Sequence, residues 1–236
     1  FQTAKYGLNL YNSSPILISD TFELVSRSCL RLETNHWPNL YSIVMRNSYF
    51  GLELPNPNYD IPHYENIIFS NNTTNFAING GTVSGNRTWG CNTYSILGNI
   101  TIQCGYCTYR LNIKPGATLK FAKNTGLQIG NSNSGGALHA IGTPDSLITF
   151  TALNDSIGGW NGIYYRGESD DYGSDSSDEK YCIIEKGKDY NLYVTGTRMP
   201  YIENCTFSQS NGYGLYINGT YDRLIRDCVF EDNGSD

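Results

Sequence analysis

The stretch "ENCTFSQSNGYGLYI", Glu203 to Ile217, decides the fold because the chain repeats its pattern at a fixed interval. Upstream the chain reads "KYCIIEKGKDYNLYV", Lys180 to Val194, and downstream it reads "RDCVFEDN". The cysteines of the three segments are 23 residues apart, and each lies two positions before an apolar anchor: Cys182 before Ile184, Cys205 before Phe207, and Cys228 before Phe230. A repeat of about 20–50 residues is typical of solenoid proteins, in which successive repeats stack.

The first eighty residues carry a related repeat. The phrases "GLNL" (7–10), "CLRL" (29–32), "GLEL" (51–54) and "FAIN" (76–79) begin 22, 22 and 25 residues apart. Between the two arrays lie short alternating runs such as "SILGNITI", "TGLQIG" and "LITFTALN", separated by Gly, Asn, Pro and Ser. Alternation of apolar and polar residues indicates strands, and no segment sustains a helical period. The sequence therefore predicts an all-β chain with little or no helix.

The length of the repeat indicates how the strands are connected. A period of 22–25 residues fits one coil of a β-solenoid, with about three short strands and three bends, and predicts about ten coils. A leucine-rich repeat is excluded because its L-x-x-L-x-L-x-x-N signature is absent. We expect residues 1–80 to form a first array and 81–165 the irregular opening coils of a second, with a cysteine-containing cap segment. Residues 166–236 would add an acidic loop and regular repeats, continuing coaxially as one elongated domain within a longer chain or assembly.

Composition narrows the class of partner. Charged residues make up only 16% of the 236 residues, Gly and Tyr number 25 and 19, and the net charge is −6. Abundant turn formers and β-favouring aromatics with few charges are typical of β structure rich in turns. A negative net charge disfavours nucleic acid as a partner, and no apolar run is long enough to insert into a membrane.

The motifs also resemble a known group of proteins. "IENCTF…GYGLYI" and "LIRDCVFEDNGSD" look like the repeats of right-handed parallel β-helix proteins of the pectate-lyase-like superfamily. The segment from Thr88 to Tyr165 looks like the opening coils of large secreted bacterial β-helix proteins. The resemblance implies a right-handed parallel β-helix. It does not imply one function, because that superfamily contains lyases, glycosidases, epimerases, adhesins and proteins without catalytic activity.

The seven cysteines fall into groups with different roles. Cys182, Cys205 and Cys228 share a strand face with apolar anchors, so we expect an interior ladder of buried thiols rather than a metal or redox site. Cys91, Cys104 and Cys107 lie outside the repeat register. They are one ligand short of a structural zinc site, so we favour a disulfide between Cys91 and either Cys104 or Cys107.

The densest acidic segment is "ESDDYGSDSSDEK", residues 168–180. Its carboxylates could supply a Ca²⁺ site, because hard cations take several oxygen ligands. The spacing matches neither the EF-hand loop nor the nonapeptide Ca²⁺ repeat, so a solvated loop without cofactor is the favoured alternative. The candidate ligands are Asp170, Asp171, Asp175, Asp178 and Glu179.

Aromatic residues mark the candidate ligand-binding face. Tyr164, Tyr193 and Tyr216 are predicted to point outward from adjacent coils, with Trp160 at the edge of the group. One interpretation is a platform on which sugar rings stack, and the other is a plain β-ladder of tyrosines that stabilises the sheet. No stack of carboxylates appears among the outward positions, so we assign no catalytic residue.

These observations favour an extracellular or cell-surface β-helix module whose role is structural, adhesive or glycan-binding, with a cell-surface glycan as the candidate partner. The alternative is a carbohydrate-active enzyme, a polysaccharide lyase or glycosidase, on the same fold. Because the chain starts and stops inside the repeat, we also expect that it is a piece of a longer polypeptide or that copies stack end to end into a filament.

Overall fold

The computed structural model describes residues 4–33, 38–59, 63–90, 92–105, 107–131, 134–167, 177–196, 199–219 and 224–234. These residues form 28 strands and no helix, and hence no helix long and apolar enough to cross a membrane. The chain divides into two compact units, Phe1–Gly80 and Gly81–Asp236. In each unit, strands three elements apart along the chain pair in parallel, which is the topology of a β-solenoid.

The first unit contains three sheets. One contains β1, β4, β7 and β10, the second contains β2, β5 and β8, and the third contains β3, β6 and β9. The strands are β1 (Tyr6–Tyr11), β2 (Ile16–Ile18), β3 (Thr21–Glu23), β4 (Ser28–Glu33), β5 (Asn39–Tyr41), β6 (Val44–Arg46), β7 (Phe50–Leu54), β8 (His63–Glu65), β9 (Ile68–Ser70) and β10 (Thr74–Ile78). The phrases GLNL, CLRL, GLEL and FAIN thus fall in β1, β4, β7 and β10, at one side of each coil.

The second unit repeats the arrangement in three longer sheets. The first contains β11, β14, β17, β20, β23 and β26; the second contains β12, β15, β18, β21, β24 and β27; the third contains β13, β16, β19, β22, β25 and β28. The strands are β11 (Gly81–Val83), β12 (Arg87–Trp89), β13 (Thr93–Ile96), β14 (Ile100–Ile102), β15 (Thr108–Ile113), β16 (Thr118–Phe121), β17 (Leu127–Ile129), β18 (Gly135–Ile141), β19 (Ile148–Ala152), β20 (Ile163–Gly167), β21 (Asp178–Lys180), β22 (Cys182–Glu185), β23 (Tyr190–Gly196), β24 (Tyr201–Glu203), β25 (Thr206–Ser208), β26 (Tyr213–Asn218), β27 (Ile225–Arg226) and β28 (Val229–Glu231). The prediction of an all-β solenoid is confirmed, and its number of coils is close.

The bends between strands use single residues in the left-handed conformation. Asn204 joins β24 to β25 with φ of 53°, and Asp227 and Tyr181 occupy the equivalent bends with φ of 53° and 51°. Asn and Asp adopt this conformation more readily than most residues with a side chain. Each of these residues directly precedes one of the repeated cysteines, so the chain turns immediately before the cysteine and the next strand follows at once.

The interior consists of columns of like residues, one from each coil. In the first unit Leu30, Leu52 and Phe76 are paired across β4, β7 and β10, and all three are buried. In the second unit a column follows β16, β19, β22, β25 and β28, and its members are Leu119, Phe150, Ile184, Phe207 and Phe230. The first four are buried, and Phe230 on β28 is half-exposed. Phe207 stacks on Phe230 at 5.1 Å between ring centroids. The predicted anchors therefore lie in one apolar column.

The repeated cysteines lie beside that column. Cys182 and Cys205 are each 1% exposed, and Cys228 is half-buried. The thiol of Cys205 lies 3.4 Å from the carbonyl oxygen of Glu179, and that of Cys182 lies 3.2 Å from the carbonyl oxygen of Ala140. Burial is the largest influence on the pKa of Cys182 and raises it well above the usual value, so this thiol packs as a neutral group.

Candidate functional site

One outward column on the sheet that begins with β11 changes character along its length. The register joins Thr82 to Thr101, Thr101 to Gln128, and Gln128 to Tyr164, which is followed by Tyr193 and Tyr216. The column thus passes from hydroxyl and amide side chains in the early coils to three tyrosines in the later ones. Stacked coils keep their side chains in register, so this step in side-chain size leaves a recess beneath the first tyrosine.

The recess is a groove of about 310 Å³. This volume lies at the lower end of the range found for ligand clefts, about 300–1,000 Å³. Tyr164 and Tyr190 wall it on one side, and the other lining residues are uncharged: Asn99, Ile100, Thr101, Gly126, Leu127, Gln128, Asn161 and Gly162. Amides and hydroxyls among apolar surfaces are suited to a neutral, hydroxylated ligand.

Two glycines permit the close approach of backbones at the base of the groove. Gly162 has φ of +80°, where a side chain would be strained, and a Cβ there would collide with the carbonyl oxygen of Tyr190. A Cβ at Gly126 would lie 2.8 Å from the carbonyl oxygen of Gly162. Without these glycines the coils could not carry the tyrosine wall so close to the amide-lined base.

The amides of the groove are held by the backbone and keep free hydrogen-bonding groups. Asn99 accepts a hydrogen bond from the Gly126 amide at 2.9 Å, and Asn161 donates to the Asn124 carbonyl at 2.9 Å. Gln128 donates to the Gly130 carbonyl at 2.9 Å. Within the described residues, the Asn99 amide nitrogen and the Asn161 and Gln128 carbonyl oxygens have no further protein partner, so they can bind a ligand.

The tyrosine hydroxyls of the wall stay protonated. Burial raises the pKa of Tyr164, and the charge of Arg166 opposes this shift only in part. Burial also raises the pKa of Tyr190, with a further contribution from Tyr164. Both hydroxyls can therefore donate or accept hydrogen bonds at neutral pH.

The structure brings the three predicted tyrosines together and adds two more. Tyr190 and Tyr213 are paired across β23 and β26, and each ring lies near the next tyrosine of its own strand, with centroids 4.9 Å and 5.1 Å apart. Their signal in the sequence is the repeat of "YNLY" as "YGLY", three residues before the predicted positions. Sequence reasoning also missed Asn99, Gln128 and Asn161, which have no repeated signature.

Trp160 does not lie at the edge of the tyrosine group, contrary to the sequence-based expectation. Its side chain is fully buried, its ring stacks on Phe121 at 4.4 Å, and its indole nitrogen donates to the Glu185 carbonyl at 2.7 Å. A large ring that gains both a stacking partner and a hydrogen bond in the interior is best placed there. Trp160 is a core residue.

The two predicted Ca²⁺ ligands that the structure describes, Asp178 and Glu179, do not lie together. Asp170, Asp171 and Asp175 lie outside the described residues. Glu179 is fully buried inside the solenoid and accepts a hydrogen bond from Tyr165, whereas Asp178 points outward, with an oxygen 3.9 Å from His139. Adjacent strand residues face opposite sides, so Asp178 and Glu179 cannot share one exposed cation. The described residues contain no group of three or more acidic, His or Cys side chains that could hold a metal.

The disulfide also differs from the predicted pairing. It joins Cys104 to Cys107, whose Cα atoms lie 5.2 Å apart, and so it closes within the Cys-x-x-Cys segment instead of reaching Cys91. That separation is within the range that a disulfide spans without movement of the backbone. Cys91 itself lies outside the described residues.

The comparison with protein families agrees with the parallel topology. Residues 161–236 match the family model described as the right-handed β-helix region. This part of the chain is a right-handed β-helix. The right-handed β-helix match covers the strands that carry all five tyrosines, and it is consistent with the resemblance to the pectate-lyase-like superfamily. No curated protein and no solved structure matches the chain.

Proposed function

We propose that the chain is a glycan-binding β-helix module with an adhesive or structural role outside the cell. The observation that carries the proposal is the uncharged groove walled by Tyr164 and Tyr190, with amide side chains at its base. Aromatic rings offer apolar area for the C–H face of a sugar, and amides offer both donors and acceptors for its hydroxyls. Ligand sites in general combine such apolar area with a few placed polar groups.

Binding is favoured over turnover by the chemistry of the groove. Hydrolysis of a glycosidic bond ordinarily uses two carboxyl groups about 5–9.5 Å apart. No Asp or Glu is among the described residues that line the groove. A glycosidase activity would therefore need a different surface.

The location outside the cell is part of the proposal. It is supported by the disulfide between Cys104 and Cys107, because disulfides form and persist in oxidising compartments. End-to-end stacking of copies stays a prediction, which light scattering of the 236-residue chain measures.

A saccharide array tests the proposal. The protein should be made in a host that does not attach N-glycans, because Asn99-Ile100-Thr101 in the groove is an acceptor triplet. We expect retention on one or more glycans and no release of reducing ends or unsaturated uronates from the same panel, with or without Ca²⁺. Turnover of any member would support the enzyme alternative, and failure to retain any saccharide would refute the proposal.

A further inference from the structure

The tyrosine rings do not form an open platform. Tyr164 and Tyr193 stack face to face, with ring centroids 4.9 Å apart and planes only 9° from parallel. Tyr193 is also approached by Tyr216 at 5.2 Å and by Tyr190 at 4.9 Å. The faces inside the column are therefore occupied by other tyrosines. Tyr164 is the first ring of the stack, and its second face is turned away from Tyr193, toward the preceding coil.

The preceding coil leaves the space beneath that face unfilled. Its residue in the column is Gln128, whose amide donates to the backbone carbonyl of Gly130 and so lies along its own strand. The coil before it has only Thr101 at this position. The groove occupies the volume that one more aromatic residue of the column would fill.

The groups around this space define the ligand that fits it. Within the described residues, the Asn99 nitrogen and the Asn161 oxygen have no protein partner and are free to form hydrogen bonds with a ligand in the groove. No charged side chain is among the described residues that line it, so a carboxylate or sulfate would lose its hydration without gaining a cation. A neutral ring with one C–H face and hydroxyls on its edge satisfies all of these groups.

We infer that the groove binds one neutral pyranose residue, stacked on the free face of Tyr164 so that the sugar takes the place of the next ring in the column. This inference rests on the proposed function and narrows it from the groove as a whole to one subsite on the face of Tyr164. Tyr193, which stacks on the other face of Tyr164, then acts as the support that holds Tyr164 in position.

Three variants test the inference, with affinities measured by calorimetry for a neutral oligosaccharide selected on the array. Tyr164→Ala removes the stacking face and should weaken binding about tenfold or more, the equivalent of a strong aromatic contact. Tyr216→Ala is the matched control, because it removes a tyrosine of the same column that does not line the groove. We expect its affinity to stay within about twofold of the wild type. Gln128→Tyr should fill the subsite and abolish binding.

The structural state of each variant is checked separately. Gln128→Tyr adds a ring beneath Tyr164, so its thermal midpoint should equal or exceed that of the wild type even though binding is lost. Equal losses of affinity in Tyr164→Ala and Tyr216→Ala would overturn the single-subsite inference while leaving glycan binding intact. Selection of acidic glycans alone, with binding lost in Arg166→Ala, would overturn the preference for a neutral sugar. Retention of no saccharide at all would instead refute the proposed function.

Discussion

The guanidinium of Arg31 lies 2.7 Å from the carboxylate of Glu53 on the next coil, and that carboxylate is completely buried. Arg27 binds the same group at 2.7 Å, and Ser28 and Asn79 also donate hydrogen bonds to it. Burial alone would raise the pKa of Glu53, but the hydrogen bonds from Arg27 and Ser28 and the charges of both arginines lower it to about 2. Arg31 and Glu53 are thus part of an enclosed network of hydrogen bonds and ion pairs, not an isolated ion pair on the surface.

Glu53 should make the first unit sensitive to acid. The pKa of Glu53 is lowered from 4.5 to about 2 in the folded state. The stability that Glu53 contributes is therefore complete above pH 4.5 and is lost as the pH falls toward 2. The shift corresponds to about 3 kcal/mol in the free energy of unfolding. Glu53→Gln should abolish this pH dependence and destabilise the protein at neutral pH, since Arg27 and Arg31 lose the buried carboxylate that they share.

Urea unfolding followed by circular dichroism across the acid range measures this effect. Glu33→Gln is the matched control, because Glu33 also pairs with Arg31, at 2.6 Å, but is partly exposed. The control should keep most of the stability of the wild type. If Glu53→Gln and Glu33→Gln lose the same amount of stability and both keep the acid profile of the wild type, Glu53 does not govern the acid response.

Glu179 should make the second unit less stable as the pH rises, which is the opposite of the effect of Glu53 on the first unit. Burial raises its pKa well above 4.5, and one of its oxygens has no hydrogen-bond partner among the described residues. When the pKa of a carboxyl group is higher in the folded state than in the unfolded state, the stability that the group contributes is complete below about pH 4.5. That stability is lost progressively as the pH rises. Glu179→Gln should therefore raise the thermal midpoint at alkaline pH more than at acidic pH.

The comparison needs a control on the same strand. Asp178→Asn changes the neighbouring carboxylate, which is outside the solenoid and partly exposed. The charge of Asp178 is the smallest of the influences that raise the pKa of Glu179, so the thermal midpoint of Asp178→Asn should change by a similar small amount at both pH values. If the difference in thermal midpoint between Glu179→Gln and the wild type is the same at acidic and alkaline pH, Glu179 does not carry a buried, protonated carboxyl.

The cysteine ladder predicts graded reactivity toward a thiol reagent. Cys182 and Cys205 are buried, whereas Cys228 is half-buried, so the native protein should be labelled first at Cys228. Cys205→Val should change the free energy of unfolding by about 1 kcal/mol, while Cys205→Asp should unfold the neighbouring coils by burying a charge. Mass spectrometry after timed labelling locates each modified thiol, and rapid labelling of Cys205 in the native protein would contradict the ladder.

The sequence predicts the solenoid well because like residues must recur at each coil to build its columns. The period of the cysteines follows from the length of one coil, and the outward direction of Tyr193 follows from alternation along a strand. The interior position of Trp160 was missed because Trp is compatible with either side of a strand, and only its contacts with Phe121 and Glu185 decide. The free face of Tyr164 could not be predicted either, since it depends on how neighbouring rings turn.

The close approach of the backbone at Gly162 should affect both stability and glycan binding. Gly162→Ala places a Cβ against the carbonyl oxygen of Tyr190 and forces a side chain onto a residue with φ of +80°. Strain at such a position costs about 1–3 kcal/mol, and relief of the collision must displace the coil that carries Tyr190. We therefore expect a lower thermal midpoint together with weaker glycan binding, although the substitution adds no charge and removes no ligand-binding side chain. Gly105→Ala is the matched control, because a Cβ there meets nothing within 4 Å, and it should leave both quantities unchanged. Calorimetric scans and titrations of the two variants decide the matter: wild-type affinity in Gly162→Ala would show that the wall of the groove does not depend on this close approach.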